Sequence, residues 1–246
     1  MGMLKKAPEK LWWGGTAPQD FYPDDQDIRA AGNLTELADV FGSDKGTLGN
    51  AHNYARLYER LINPSETKAL CEIGVACGAS LKMWSAFLPA ARIVGVDIRE
   101  ECKNLCKDNK NIEIKIGDVK DLNYSNKFDV VIDDASHVSE DIVDIFNRCW
   151  KWVRPGGLYI IEDVGCTYSD DYTEHFNSLF GTNKVNNRHV FVELVDSIMK
   201  NVDVKIDIES MEYHPQLLIL RKRKANANAA VSQQSKFLNW LSSWRP

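Results

Sequence analysis

The sequence predicts an α/β protein: a doubly wound, mostly parallel seven-stranded sheet of Rossmann-like type, with an antiparallel strand at one edge. Two observations predict it. Short apolar runs alternate with helical stretches through KALCEIGV, ARIVGVDI, IEIKIGDV, FDVVIDD and LYIIEDV, and regular alternation of that kind means parallel strands joined by crossover helices. Two later runs, VKIDIES and QLLILRK, lie around a YHP turn and read as a closing antiparallel pair at one sheet edge.

Residues 1–32, rich in Pro, Gly, Asp and aromatics, read as an irregular N-terminal arm in which Trp12 and Trp13 pack on the body, form a lid or meet another subunit. The main domain is expected over 33–224. It opens with LTELADVFG, where Leu34, Leu37, Ala38 and Phe41 share a helical face and Gly42 stops it. NYARLYERLI is a second helix, with Tyr54, Leu57, Tyr58 and Leu61 along a stripe. Between the strands, SLKMWSAFL, EECKNLCKD and SEDIVDIFNRCWKWV are helical, the last ending at the turn RPGG, and HVFVELVDSIM is the helix before the closing pair. Residues 225–246 read as a linker and a short C-terminal amphipathic helix carrying Phe237, Trp240, Leu241 and Trp244.

A hydrophobic fraction of 44% with 26% charged residues is that of a soluble globular protein and excludes disorder throughout. The net charge of −5 opposes a nucleic-acid-coating or anionic-membrane role. No apolar run reaches a membrane-spanning length, and the six cysteines form no metal framework, so reduced thiols and a cytoplasmic location are expected. A homo-oligomer is expected from the aromatic arm and the C-terminal helix, which can meet a neighbouring subunit.

In open α/β sheets, ligands bind beyond the carboxyl ends of the strands. The first strand ends CEIGVACGAS, where Gly74 and Gly78 permit a tight turn and close approach, and Ser80 opens the next helix. The second ends at Asp97, suited to a ribose diol, and the third at Asp118, suited to an adenine amino group. A dinucleotide needs G-x-G-x-x-G to seat its pyrophosphate, and G-V-A-C-G lacks that spacing. S-adenosyl-L-methionine carries no phosphate, and the order Glu72, Gly74, Gly78 suits it. A tight turn with no ligand is the alternative, against which the two following acids weigh.

These features resemble a class I S-adenosylmethionine-dependent methyltransferase, most of all the macrolide sugar O-methyltransferases of the mycinamicin and macrocin type. The resemblance rests on FGSDKGTLGNAHNYARLYERL, CEIGVACGASLKMW, VIDDASHVSED and RPGGLYIIEDVGCTY, and spans about residues 34–222. It implies that Asp44 and Lys45 lie over the methionine end of the cofactor, although an ordinary helix-ending turn also explains them. It also sets His52, Tyr54 and Tyr168 toward a saccharide or glycosylated acceptor, with packing as the other reading of His52 and Tyr54.

FDVVIDDASH and YIIEDV both end on charge, and in the usual strand order of the fold that the resemblance implies, these two strands lie side by side. Neighbouring strands lie ~4.8 Å apart, so Asp134, Glu162 and Asp163 are expected to converge on Mg2+ or another hard divalent cation. Asp133, on the alternate face, supports the cofactor side. A sugar hydroxyl is about as weak an acid as water, with a pKa near ~15.7, and a metal acidifies it. His137, with an ordinary pKa near ~6.5, is then the expected general base. The competing readings are an acid that touches only the cofactor or caps a helix, and a structural histidine. Rival functions are a cephalosporin-hydroxylase-like oxidative enzyme, a catechol-type small-phenol methyltransferase, which would show Asp-Asn where Glu162-Asp163 stands, and a non-catalytic binding protein.

Overall fold

The computed structural model describes residues 23–47 and 52–224. The expectations for Trp12 and Trp13, and for the C-terminal helix, lie outside them. The chain packs as two compact units that divide between Asp118 and Val119.

In the first unit, Asp24 caps α1 (Asp25–Ala30) by accepting from the amides of Gln26 and Asp27. The expected irregular arm therefore contains a turn and a half of helix. Asn33 caps α2 (Leu34–Phe41), and Gly42 closes it in the left-handed region at φ 69°. Helix α3 (Ala55–Leu61) follows. Three parallel strands carry the unit: β1 (Ala69–Ile73), β2 (Arg92–Asp97) and β3 (Ile112–Ile116), with Cys71 beside Val94 and Val94 beside Glu113. Helix α4 (Ala79–Phe87) joins the first two strands and packs on α2. Its Trp84 is fully buried beside Tyr58, and large aromatics of this kind dominate the burial free energy of a core. EECKNLCKD departs from expectation, forming a 3-10 turn at Glu100–Asn104 instead of an α-helix. Cys102 and Cys106 are drawn into the interior there.

In the second unit, β4 (Phe128–Asp133) leads to α5 (Ser139–Cys149), a 3-10 turn (Trp150–Trp152) and β5 (Val153–Ile161). The RPGG segment lies inside β5 and is not the terminating turn that its composition suggests. A register shift between Phe128 and Val130 absorbs it, while Arg154 pairs with Asp129 at 2.8 Å. A 3-10 helix (Val164–Tyr168), α6 (Asp170–Phe180), α7 (Arg188–Asp203), β6 (Ile208–His214) and β7 (Leu217–Lys222) complete the unit. The closing strands pair antiparallel, β7 lying between β5 and β6.

The strand order is β3-β2-β1-β4-β5-β7-β6, a seven-stranded α/β sheet with its antiparallel pair at one edge. Both strands whose ends carry the acidic motifs are buried along their apolar stretches, Val130–Ile132 and Leu158–Ile161 among them. Such strands are positioned by the core, so their terminal side chains are held in fixed places. All six cysteines are free. No helix of the described residues is long and apolar enough to cross a membrane.

Candidate functional site

The glycine loop occupies the first unit. Gly74 has φ 97° and Gly78 φ 77°, and Gly78 serves as the N-cap of α4. A Cβ on Gly78 would add left-handed strain and press on Cys106 Sγ at 3.2 Å. Ala76 between them is also left-handed, at φ 47°. Asp97 holds this turn: its Oδ2 accepts from the amides of Val75 at 2.9 Å and Ala76 at 3.3 Å. Arg99 closes on the same carboxylate, its Nε 3.2 Å from Oδ1. Burial pulls the Asp97 carboxyl up, but the bonds from Arg99 and the loop amides outweigh it and hold the group below the ordinary aspartate value.

Glu72 and Ser80 meet each other. Glu72, fully buried, accepts from Ser80 Oγ through one oxygen and from Trp84 Nε1 at 2.6 Å through the other. This pair braces β1 against α4 beneath the loop. Asp118 follows Gly117, whose left-handed backbone (φ 142°) leaves open space where a side chain would stand. Among the residues of the resemblance, Asp44 is half-buried and Lys45 only 1% exposed. Their carbonyls accept from His52 N and Ala55 N, so this segment is folded back on the start of α3. His52 is exposed and stacks on buried Tyr54, with ring centroids 4.9 Å apart.

The charged strand ends form a cluster in the second unit. Asp134, His137 and Asp163 each place a ligand atom within 4.8 Å of the other two. His137 Nε2 lies 3.7 Å from Asp134 Oδ1 and 3.5 Å from Asp163 Oδ2, and all three side chains are less than one-fifth exposed. The two carboxylate oxygens make a hard donor pair that fits a divalent cation of the Mg2+ type, with the imidazole nitrogen standing beside them. Glu162, expected among the ligands, is not one of the three and is 1% exposed. Its amide extends the β4–β5 ladder by donating to Asp133 O at 2.9 Å, whereas Asp163 has already left the strand into a left-handed turn at φ 54°. Consecutive residues at such a strand end direct their side chains apart.

Asp133 is 2% exposed, and among the described residues its Oδ2 accepts no hydrogen bond. Burial first, then the negative charge of Asp134, holds its carboxyl well above the ordinary value. It is therefore set among the core, away from solvent.

Two groups that the sequence did not single out adjoin the cluster. The Tyr172 ring lies 5.8 Å from that of His137. Burial pushes the Cys166 thiol up to about 12, with Asp163 and Asp134 adding to the effect. Tyr168 is 70% exposed, and the Arg188 guanidinium stacks over its ring at 3.0 Å from the centroid. Tyr172 sits on α6, a helix with too polar a pattern to be read from periodicity, and Arg188 opens α7.

Residues 70–157 match the family described as a methyltransferase domain. The chain is 26% identical over 233 residues to the 8-demethyl-8-alpha-L-rhamnosyl tetracenomycin-C 2'-O-methyltransferase of Streptomyces olivaceus, covering 84% of this chain and 59% of that protein. It is 32% identical over 152 residues to the Mycinamicin VI 2''-O-methyltransferase of Micromonospora griseorubida, covering 55% of this chain and 37% of that one. Among solved structures, it resembles the MycE methyltransferase from the mycinamycin biosynthetic pathway in complex with Mg, SAH and Mycinamycin VI. The TM-score is 0.62 at 25% identity, over 82% of this chain and 58% of the other. The chain thus spans 37% to 59% of the length of these two curated relatives.

Proposed function

We propose that this chain, with its methyltransferase domain, transfers a methyl group from S-adenosyl-L-methionine to a sugar hydroxyl of a glycosylated natural product or saccharide, with a divalent cation, Mg2+ for preference. The observation that carries the reading is the convergence of Asp134, His137 and Asp163 at the ends of two adjacent strands. The named relatives support it, since they are O-methyltransferases and one of the names specifies a rhamnosyl compound. The oxidative and small-phenol alternatives find no comparable support.

When bound, S-adenosylmethionine supplies an electrophilic methyl group, and a divalent cation acidifies a hydroxyl held against it. In the first unit, Gly74 and Gly78 let the backbone approach the cofactor, Asp97 and Asp118 recognise its nucleoside, and Asp44 and Lys45 lie toward its methionine end. Glu72 and Ser80 shape the loop from beneath. In the second unit, Asp134 and Asp163 hold the cation, with Glu162 and Asp133 supporting the two strand ends. His137 Nε2 accepts the acceptor's proton as its oxygen bonds to the methyl carbon. With the sulfonium cofactor bound, the leaving group would be uncharged S-adenosylhomocysteine, its sulfur keeping the carbon–sulfur electron pair. Tyr168, His52 and Tyr54 contact the acceptor.

Incubation with S-adenosylmethionine, MgCl2 and a panel of glycosylated macrolides and polyketides, followed by mass spectrometry, tests the proposal. S-adenosylhomocysteine and an acceptor heavier by a net CH2, a methyl gained and a hydroxyl proton lost, are expected, both abolished by EDTA. Turnover that persists in EDTA overturns the metal role.

A further inference from the structure

We infer that Asn186 is a positioning residue of the candidate cation centre, one whose carboxamide sets the separation between the loop carrying His137 and the turn carrying Asp163. The inference rests on the metal reading proposed above. Asn186 Oδ1 accepts from Ser139 Oγ at 2.6 Å and from Ser139 N at 3.2 Å. Its Nδ2 donates to the carbonyl of Cys166 at 2.9 Å. Ser139 is the second residue after His137, and Cys166 bonds back through its own amide to Asp163 O at 2.8 Å. One side chain therefore spans the two segments that supply the cluster. Its orientation is dictated by chemistry, because only the oxygen can accept from an amide and only the nitrogen can donate to a carbonyl.

A second contact from the same strap, the segment between α6 and α7 that carries Lys184 and Asn186, reaches the His137 loop. Lys184 Nζ lies 2.5 Å from both oxygens of Asp141, and Asp141 accepts from the hydroxyl of Ser136, the residue immediately before His137. Lys184 is itself fixed by Asn177 of α6, through its amide at 2.8 Å and its carbonyl at 2.7 Å. His137 and Asp163 both hold strained left-handed backbones, and such conformations persist only where surrounding bonds over-determine them. The strap supplies those bonds.

The test uses the full chain and Mn2+ alone, with free ion counted by EPR. Asn186→Ala is expected to weaken Mn2+ binding by roughly 10- to 100-fold, the usual cost of losing a group that orients metal ligands. Thr182→Ala removes a bond to Asn177 in the same segment while touching neither loop. It is expected to lower thermal stability without changing Mn2+ affinity. Should Asn186→Ala fold poorly, Asn186→Ser, too short to bridge both partners, carries the same expectation. A folded Asn186 variant with unchanged affinity overturns the inference, as does an equal loss in Thr182→Ala. Asp163→Asn is the reference: if it binds Mn2+ as the wild type does, the metal reading itself fails. If it loses the ion while Asn186→Ala keeps it, the positioning role alone falls.

Discussion

His137 Nε2 lies 3.5 Å from Asp163 Oδ2, and the two residues share a backbone peculiarity, φ 55° and φ 54°. The left-handed region costs an ordinary L-residue roughly 1–2 kcal/mol, and asparagine and aspartate tolerate it best. Both turns end buried strands at the same level of the sheet, Asp133 standing beside Ile161. The side chains meet because each chain segment turns sharply just past that level.

Asp163 is thus asked to do two separable things, to turn the chain and to present a carboxylate. Asp163→Asn should keep its urea midpoint close to that of the wild type, since asparagine accepts the same backbone. Asp163→Val should lose roughly 1–2 kcal/mol of stability, because a β-branched side chain does not. Equal midpoints for the two variants in urea titration would refute the strain argument.

His137→Ala should lower turnover about 10²- to 10⁴-fold, the usual contribution of a general base, while Mn2+ binding survives. Partial recovery at high pH is expected, where hydroxide replaces the base. Loss of Mn2+ binding as complete as in Asp134→Asn would instead make the imidazole a ligand.

Glu72→Ala should destabilise the fold by roughly 2–4 kcal/mol, because it strands two buried donors, Ser80 Oγ and Trp84 Nε1. Glu72→Gln should cost less, keeping one acceptor. Chemical denaturation followed by tryptophan fluorescence measures both, and an unchanged midpoint in Glu72→Ala would show that the pair is dispensable.

Asp97 sets a sign for acid stability. Its folded carboxyl titrates below its ordinary value of 3.8, so its contribution is fully present above that value and is lost as pH falls through the folded one. Asp97→Asn should therefore flatten the loss of stability below about pH 4, as read from melting temperatures across pH. A mutant as acid-sensitive as the wild type would contradict it.

Much of the fold was legible because its signals are local. The five parallel strands and the closing pair announce themselves as short apolar runs, and FDVVIDDASH and YIIEDV show charge where a buried strand has no structural use for it. Other elements were not legible for equally physical reasons. Helix α6 carries DDYTEHFN, too polar for a periodic stripe, and RPGG has turn composition although β5 runs through it with a shifted register. EECKNLCKD has helical spacing, yet it forms a 3-10 turn with two cysteines buried.

By itself the sequence determined which residue types stand at the strand ends, because hydrophobic alternation sets the strands and whatever follows them must lie at the sheet's carboxyl edge. Only the tertiary structure decided which of those groups meet. Asp134 and Asp163 converge with His137 while Glu162 does not join them, and Glu72 turns to Ser80 and Trp84. Asn186, which lies 47 residues beyond Ser139 and 20 beyond Cys166 in the chain, ties the two loops together. Side-chain direction at a turn depends on backbone dihedrals and on bonds from distant segments, and neither is written in local composition.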